Sequence, residues 1–277
     1  MELNAQVSLT KDGGLGMITL NAKERQNSLS PEMIDQFGAC LDEAAADDNI
    51  RALLLRAKGS AFCSGIDLTA LTDSIPVDRA KLEKAVAAFS NLLKRIEESP
   101  VPVVAAVTGD LLAGGVGVAG ACDLVVSTRD IEIQLGEIVF GLIPANIMSV
   151  LVGRRVTLGA FRRLALTAER ISADDAARIG MVDIVCNDAA ELERELRKIF
   201  KQLFRMHPGA ISRLKSLLAI HRATDPAVSE ASRSALTDLA SDPTTLESIR
   251  ELDDGGTPPW FGRFRPAASL LLAEEEV

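Results

Sequence analysis

The sequence has little of what several classes of function require. Cys40, Cys63, Cys122 and Cys186 are widely scattered and never come as the CxxC pairs of a zinc or redox site. They read as buried free thiols. His207 and His221 are the only histidines, too few and too far along the chain from those cysteines for a metal cluster, so no metal is expected. Positive charge is in deficit: 30 Lys and Arg against 39 Asp and Glu give a net charge of −9, which argues against nucleic acid as a partner. Long apolar runs are missing as well. The stretch around 101–126 is cut by Asp110 and Asp123, short of the roughly 20 residues a bilayer span needs. The opening MELNAQVSLTKDGG has no basic segment leading into an apolar one, so no secretory signal, no membrane and a cytoplasmic location are expected. There is no GK[ST] after the glycine-rich run 109–120, and no GxGxxG with an acid ending the next strand, which leaves a nucleotide cofactor without support.

What remains is an ordinary globular composition, 47% hydrophobic and 25% charged over 277 residues. Alternating runs at Val7–Leu9 and Met17–Leu20 flank a glycine-rich turn and predict a hairpin. Ser30 as N-cap with Pro31 behind it, then Met33, Ile34, Phe37, Cys40 and Leu41 at helical spacing, predicts a helix ending near Asp47. Apolar runs at Ala52–Arg56, Val103–Val107, Asp123–Ser127 and Ile184–Cys186 read as strands. Helical patterns lie between them at Lys81–Glu98, Ile147–Val152 and Ala160–Thr167. Strands alternating with helices indicate an α/β fold. From Ala189 the pattern becomes helical, so a core over residues 1–195 and a helical extension over 196–277 are expected, the extension ending in an irregular DDGGTPPWFGRFRP tail.

Three loops carry unusual residues. In SAFCSGIDL, Gly65 at a strand exit can leave the amide of Ile66 facing a cleft. In AVTGDLLAGGVGVAGACDLVV, Gly114, Gly115 and Gly117 mark a helix start whose free amides favour a developing negative oxygen. Tight helix packing explains the same glycines equally well. In EIQLGEIVFGLIPAN, Glu137 lies among Leu135, Ile138 and Val139, surroundings that raise a carboxyl pKa and suit it to take and return a proton near neutral pH. Asn146 and Asp110 could add a polar contact, or could cap and turn the chain.

NAKERQNSLSPEM, AFCSGIDL, the glycine-rich run with CDLVV, GEIVFGLIP and LTAERISADDAARIGMVD follow one another in an order that resembles the crotonase family of enoyl-CoA hydratases and isomerases, over roughly residues 5–190. The resemblance implies a spiral of ββα units with a C-terminal helical region used for trimer assembly, hence a homotrimer or hexamer. It also implies an acyl thioester whose carbonyl oxygen is held by the amides of Ile66 and Gly114. Such a donor is typically worth about 2.7–4 kcal/mol in the transition state. Asp67, Leu68 and Gly115 would line the substrate, with Gly115 letting the backbone approach it. CoA or phosphopantetheine would arrive with the substrate rather than as a cofactor of the protein, on acyl-CoA or on an acyl carrier protein. Lys23, Arg25 and Lys58 are entrance cations that would suit phosphates, and are equally plausible as solvated charges.

By the same resemblance, Gly117 stands where a hydratase carries the first of two glutamates, while Glu137 matches the second. The sequence is most like the branch that dehydrates 3-hydroxy-3-methylglutaryl groups on acyl carrier protein to 3-methylglutaconyl groups in polyketide β-branching. An acyl-thioester hydratase or dehydratase is therefore expected, with a Δ3,Δ2-enoyl-CoA isomerase using one glutamate as the alternative. A decarboxylase ranks below these, because GIDL is intact and Leu217 occupies the position where the resemblance implies its histidine, and a non-catalytic crotonase-like binding protein is the remaining alternative.

Overall fold

The computed structural model describes residues 5–67, 79–221 and 226–258. Strand β1 (Val7–Asp12) pairs antiparallel with β2 (Leu15–Leu20) across a turn in which Gly13 has a φ of 55°. After α1 (Pro31–Ala45), whose N-cap Ser30 hydroxyl accepts the Met33 amide at 3.2 Å, the chain repeats one unit. The first turn of it is β3 (Ala52–Ala57), β4 (Ala61–Cys63) and α2 (Arg79–Glu97). The second is β5 (Val103–Val107), β6 (Asp110–Leu112) and α3 (Gly114–Ala121). The third is β7 (Leu124–Thr128), β8 (Glu132–Gln134), a 3-10 turn over Glu137–Phe140, and α4 (Ala145–Leu151). Helices α5 (Leu158–Thr167) and α6 (Ala173–Arg178) bracket β9 (Arg170–Ser172) and lead to β10 (Ile184–Cys186).

The first strand of each unit joins a six-stranded sheet, ordered β1-β2-β3-β5-β7-β10, and the second joins a four-stranded sheet, ordered β4-β6-β8-β9. Within each sheet the repeated strands are parallel. This mixed α/β spiral is the architecture the sequence resemblance implies. The larger sheet is covered on both sides, which is why its strands read as unbroken apolar runs. Leu53, Leu55, Val103, Ala105 and Val125 enter the main core, while Leu54, Val104 and Val126 face a second cluster. Helix α7 (Ala189–Leu203) closes that second cluster with Leu192, Leu196, Ile199 and Phe200. It therefore runs straight through the expected boundary at 195/196, and the apolar packing of the sheet continues across it.

Helix α8 (Pro208–His221) is tied to the start of β7 by an ion pair between buried Lys215 and Asp123. Its Leu214 and Leu217 are exposed. Helices α9 (Pro226–Ala240) and α10 (Pro243–Asp253) then return to the core, where Leu236, Ala240 and Ile249 pack with Leu82, Val86, Leu142 and Ala145. Among the described residues no helix is long and apolar enough to cross a membrane. Of the irregular tail expected from Asp253, Asp253 itself ends α10 and the residues from 259 on lie outside the described residues.

Asn27, inside the NAKERQNSLSPEM motif, holds the entrance loop together. It is fully buried with φ 53°. Its side chain accepts the Ala22 amide at 2.8 Å and donates to the carbonyls of Lys58 and Ala61, each at 2.9 Å. Asn27→Ala removes the partner of three backbone groups, one of them the buried Ala61 carbonyl, so a loss of about 2–4 kcal/mol is expected in urea denaturation. A loss below about 1 kcal/mol would show that water replaces the amide.

Candidate active site

One cavity of about 400 Å³ brings the three singled-out loops together. Ser64, Ile66 and Asp67 line it from the β4 exit, Ala113 and Gly114 from the start of α3, and Glu137 and Asn146 from the segment after β8. Leu68 lies outside the described residues.

Backbone contact, not side chains, sets the two amides. Gly65 has a φ of 91°, and a Cβ there would lie 2.5 Å from the Gly114 nitrogen, a space that only glycine leaves open. A Cβ on Gly114 would in turn lie 3.3 Å from the Ile66 nitrogen. Leu29 clamps the first loop, donating to the Gly65 carbonyl at 2.7 Å and accepting the Asp67 amide at 3.2 Å. The second loop turns sharply at Ala113, with φ 45° and ψ −125°, a conformation that costs a non-glycine residue roughly 1–3 kcal/mol and is held only where surrounding structure demands it. Its amide donates to the Gln134 carbonyl at 2.9 Å, which anchors the turn to β8. The amides of Ile66 and Gly114 have no acceptor among the described residues. Two unpaired donors therefore border the cavity from chain segments nearly fifty positions apart, and Gly114 opens a buried helix whose dipole adds positive potential there.

Glu137 begins the 3-10 turn. The residue as a whole is half-buried, but its carboxyl end is enclosed: Oε2 has no solvent access and no hydrogen-bond partner. Burial pushes its pKa from 4.5 up to about 7, partly offset by a hydrogen bond from its own backbone amide. A carboxyl with one oxygen free, lining the same cavity as two unpaired amides, is a group able to exchange a proton with a bound molecule whose oxygen those amides hold.

Asn146 is buried, with its side-chain oxygen accepting the Ser90 hydroxyl at 3.0 Å and its nitrogen 3.4 Å from the Val86 carbonyl. Helix α2 thus fixes its orientation. Asp110 does not line the cavity; its carboxylate accepts the Glu132 amide at 2.8 Å and joins β6 to β8. Gly115 does not line the cavity either. A Cβ on it would overlap the Cys63 carbonyl, so its role is to let α3 lie against β4. Arg25 and Lys23 lie outside the cavity lining. Arg25 reaches Asp67 at 3.3 Å and Gln6 at 3.2 Å, while Lys23 is exposed beside Glu24. Gly117 does not line the cavity: a Cβ there would meet Ile147 Cγ1 at 3.3 Å and Leu93 Cδ1 at 3.5 Å. Leu217 also lies away from it, on the exposed side of α8. Cys63 and Cys122 are inert, with burial pushing both thiols up to about 12. No group of three metal-ligating side chains occurs among the described residues.

Three contributors to the site have no local signal in the sequence. Ala113 resembles any alanine until its dihedrals are known. Leu236 and Ala240 of α9 line the cavity from the far end of the chain, roughly a hundred positions after Glu137.

Comparison with known proteins places the chain in a family. The family model described as enoyl-CoA hydratase/isomerase matches residues 10–261. A 1,2-epoxyphenylacetyl-CoA isomerase of Escherichia coli is 33% identical over 63% of this chain and 67% of its own length. A short-chain-enoyl-CoA hydratase of Clostridium acetobutylicum is 27% identical over 79% of this chain and 82% of its own. The crystal structure of an enoyl-CoA hydratase from Mycobacterium avium, 25% identical, superimposes with a TM-score of 0.79 over 93% of this chain and all of that one. The chain belongs to the enoyl-CoA hydratase/isomerase family, the crotonases.

Proposed function

We propose that the protein moves a proton within an acyl thioester, with Glu137 as its single acid–base group and the amides of Ile66 and Gly114 holding the thioester oxygen. The reaction this favours is the shift of a double bond from a 3-enoyl to a 2-enoyl thioester. Glu137 takes a proton from C2, the resulting dienolate carries its charge on the oxygen between the two amides, and the same carboxyl returns the proton at C4. One base suffices, and no water takes part. The observation that carries this reading is the enclosed Glu137 carboxyl, whose Oε2 has no partner, in a cavity that Gly117 does not reach. Position 117 is instead walled by Ile147 and Leu93. A hydratase needs a second group there to handle the proton of water.

Dehydration of a 3-hydroxyacyl thioester is the second reading, favoured by Asn146. Its amide lines the cavity and could hold a departing hydroxyl that Glu137 protonates. Loss of water from a 3-hydroxy-3-methylglutaryl group on acyl carrier protein is the specific case implied by the sequence resemblance. The carrier is CoA in the first reading, in keeping with the CoA thioesters named in its relatives. A trimer contact is proposed for the exposed Leu214 and Leu217 face of α8.

Mass spectrometry and ultraviolet absorbance separate the two reactions. With 3-enoyl-CoA, conjugation of the double bond at constant mass is expected. Loss of 18 Da from 3-hydroxy-3-methylglutaryl-acyl carrier protein, with 3-enoyl-CoA unchanged, would reverse the order.

A further inference from the structure

Polar groups of α2 and α4 meet beside the cavity. The Ser90 hydroxyl lies 3.0 Å from Asn146 Oδ1 and 3.1 Å from the Val86 carbonyl, and Asn146 Nδ2 lies 3.4 Å from that same carbonyl. A carbonyl can only accept, and a hydroxyl has one proton to give. The end of the amide that faces Val86 is therefore its nitrogen, because an oxygen there would set two acceptors against each other. Its oxygen faces Ser90, which donates to it. Val86 takes one N–H of Asn146, and the other has no acceptor among the described residues. Asn146 is 6% exposed and lines the cavity, whereas Ser90 stands behind it, outside the lining.

We propose that Ser90 is a positioning residue: its hydroxyl holds the Asn146 amide so that the free N–H is the cavity's third hydrogen-bond donor, selecting acyl thioesters that carry a hydroxyl or carbonyl oxygen on the acyl chain. The inference rests on the acyl-thioester reading above and deepens its second form by naming the group that orients Asn146. With the Ile66 and Gly114 amides committed to the thioester oxygen, a third donor serves a different oxygen. A buried donor favours a ligand that pairs it. An oxygen on the acyl chain does so, and a bare hydrocarbon chain leaves the N–H to water. The bond to Val86 is the longer of the two that hold the amide, so Ser90 supplies most of the restraint. Without its proton the amide can turn end for end and present an acceptor instead.

Calorimetric titration with butanoyl-CoA and 3-hydroxybutanoyl-CoA, which differ by one hydroxyl, tests this in the Glu137→Gln protein, where both ligands should stay unconverted. The hydroxylated ligand is expected to bind roughly three- to tenfold more tightly, the range of one net hydrogen bond. Adding Ser90→Ala should bring the two ligands within about twofold of each other by weakening the hydroxylated one alone. A serine that only supports the fold would weaken both alike and leave their ratio where it was. Ser90→Thr keeps the hydroxyl and should restore the ratio. Ser90→Cys, whose thiol is a weak donor, should lower it, and keeps the test decisive if the alanine variant does not fold. Asn146→Ala should abolish the ratio, and Ser90→Ala added to it should have no further effect on the ratio. Equal affinities before Ser90 is changed, or a ratio that survives Ser90→Ala or Ser90→Cys, would overturn the proposal while butanoyl-CoA binding leaves the acyl-thioester reading in place. Failure of butanoyl-CoA to bind at all would overturn that reading and the inference with it.

Discussion

Glu137→Gln is expected to lower kcat for double-bond migration in 3-enoyl-CoA by about a thousandfold, within the 10²–10⁴ that a positioned acid–base group contributes. KM should change little, because the substituted amide fills the same space and both backbone donors remain. The pH dependence follows from the direction of the pKa shift. Burial holds Glu137 protonated to about pH 7, and only the carboxylate can remove the C2 proton. The rate in the parent should therefore rise with pH through about 7 and level above it, and the glutamine variant should lose that step. Stability runs the other way. The native state keeps its proton while the unfolded chain, with a carboxyl near 4.5, releases it. Between about pH 4.5 and 7 the folded protein binds more protons, and stability falls as pH rises through that window. The difference corresponds to about 3 kcal/mol at most above pH 7. The glutamine variant should thus be the more stable protein at pH 8, by about 1–3 kcal/mol in urea denaturation, and no more stable at pH 4.5. An active site that destabilises the fold in order to hold a usable carboxyl is a common trade. A variant that retains the parent's kcat, or that is less stable than the parent at pH 8, would remove Glu137 from the proposed role.

The same residue marks how far the sequence could be read. Glu137 among apolar neighbours already implies a raised pKa, and burial of the carboxyl shifts it in that direction. The Ser30 cap and the two-sided burial of β3 and β5 are local, and they appear where the spacing predicts them. The second strand of each repeat is different. β4, β6 and β8 are three residues long, too short to display a period, and AFC reads as loop. Their existence depends on pairing with one another across the spiral. Gly115 and Asp110 fall in the same class. The first answers to the Cys63 carbonyl and the second to the Glu132 amide, contacts that no spacing in the chain announces. The boundary at 195/196 follows a change in pattern, but α7 crosses it because the outer face of the sheet still needs cover. Closure of the cavity by α9 is the longest-range feature, and composition carries no trace of it.

Gly65→Ala is expected to lower kcat by about 10²–10³, the loss seen when one oxyanion donor is removed, although Gly65 itself donates nothing to the substrate. Its φ of 91° is strained for any L-residue, and the added methyl would stand 2.5 Å from the Gly114 nitrogen and 3.0 Å from its Cα. Both are backbone atoms that cannot rotate away. The β4 exit and the start of α3 must then separate, which spreads the Ile66 and Gly114 amides beyond the reach of one oxygen. A stability loss of about 2–4 kcal/mol should accompany this, combining left-handed strain with the displaced contact. Gly13→Ala isolates the strain term. Gly13 has a φ of 55° with nothing within 4 Å of its would-be Cβ, so about 1 kcal/mol of stability should be lost and kcat left unchanged. The comparison to make is kcat for 3-enoyl-CoA beside the urea midpoint for both variants. If Gly65→Ala loses stability but keeps its kcat, the two amides are not a joint oxygen site. If its kcat collapses while Gly13→Ala stays at the parent rate, catalysis depends on the separation of two backbone segments that only a glycine at position 65 allows.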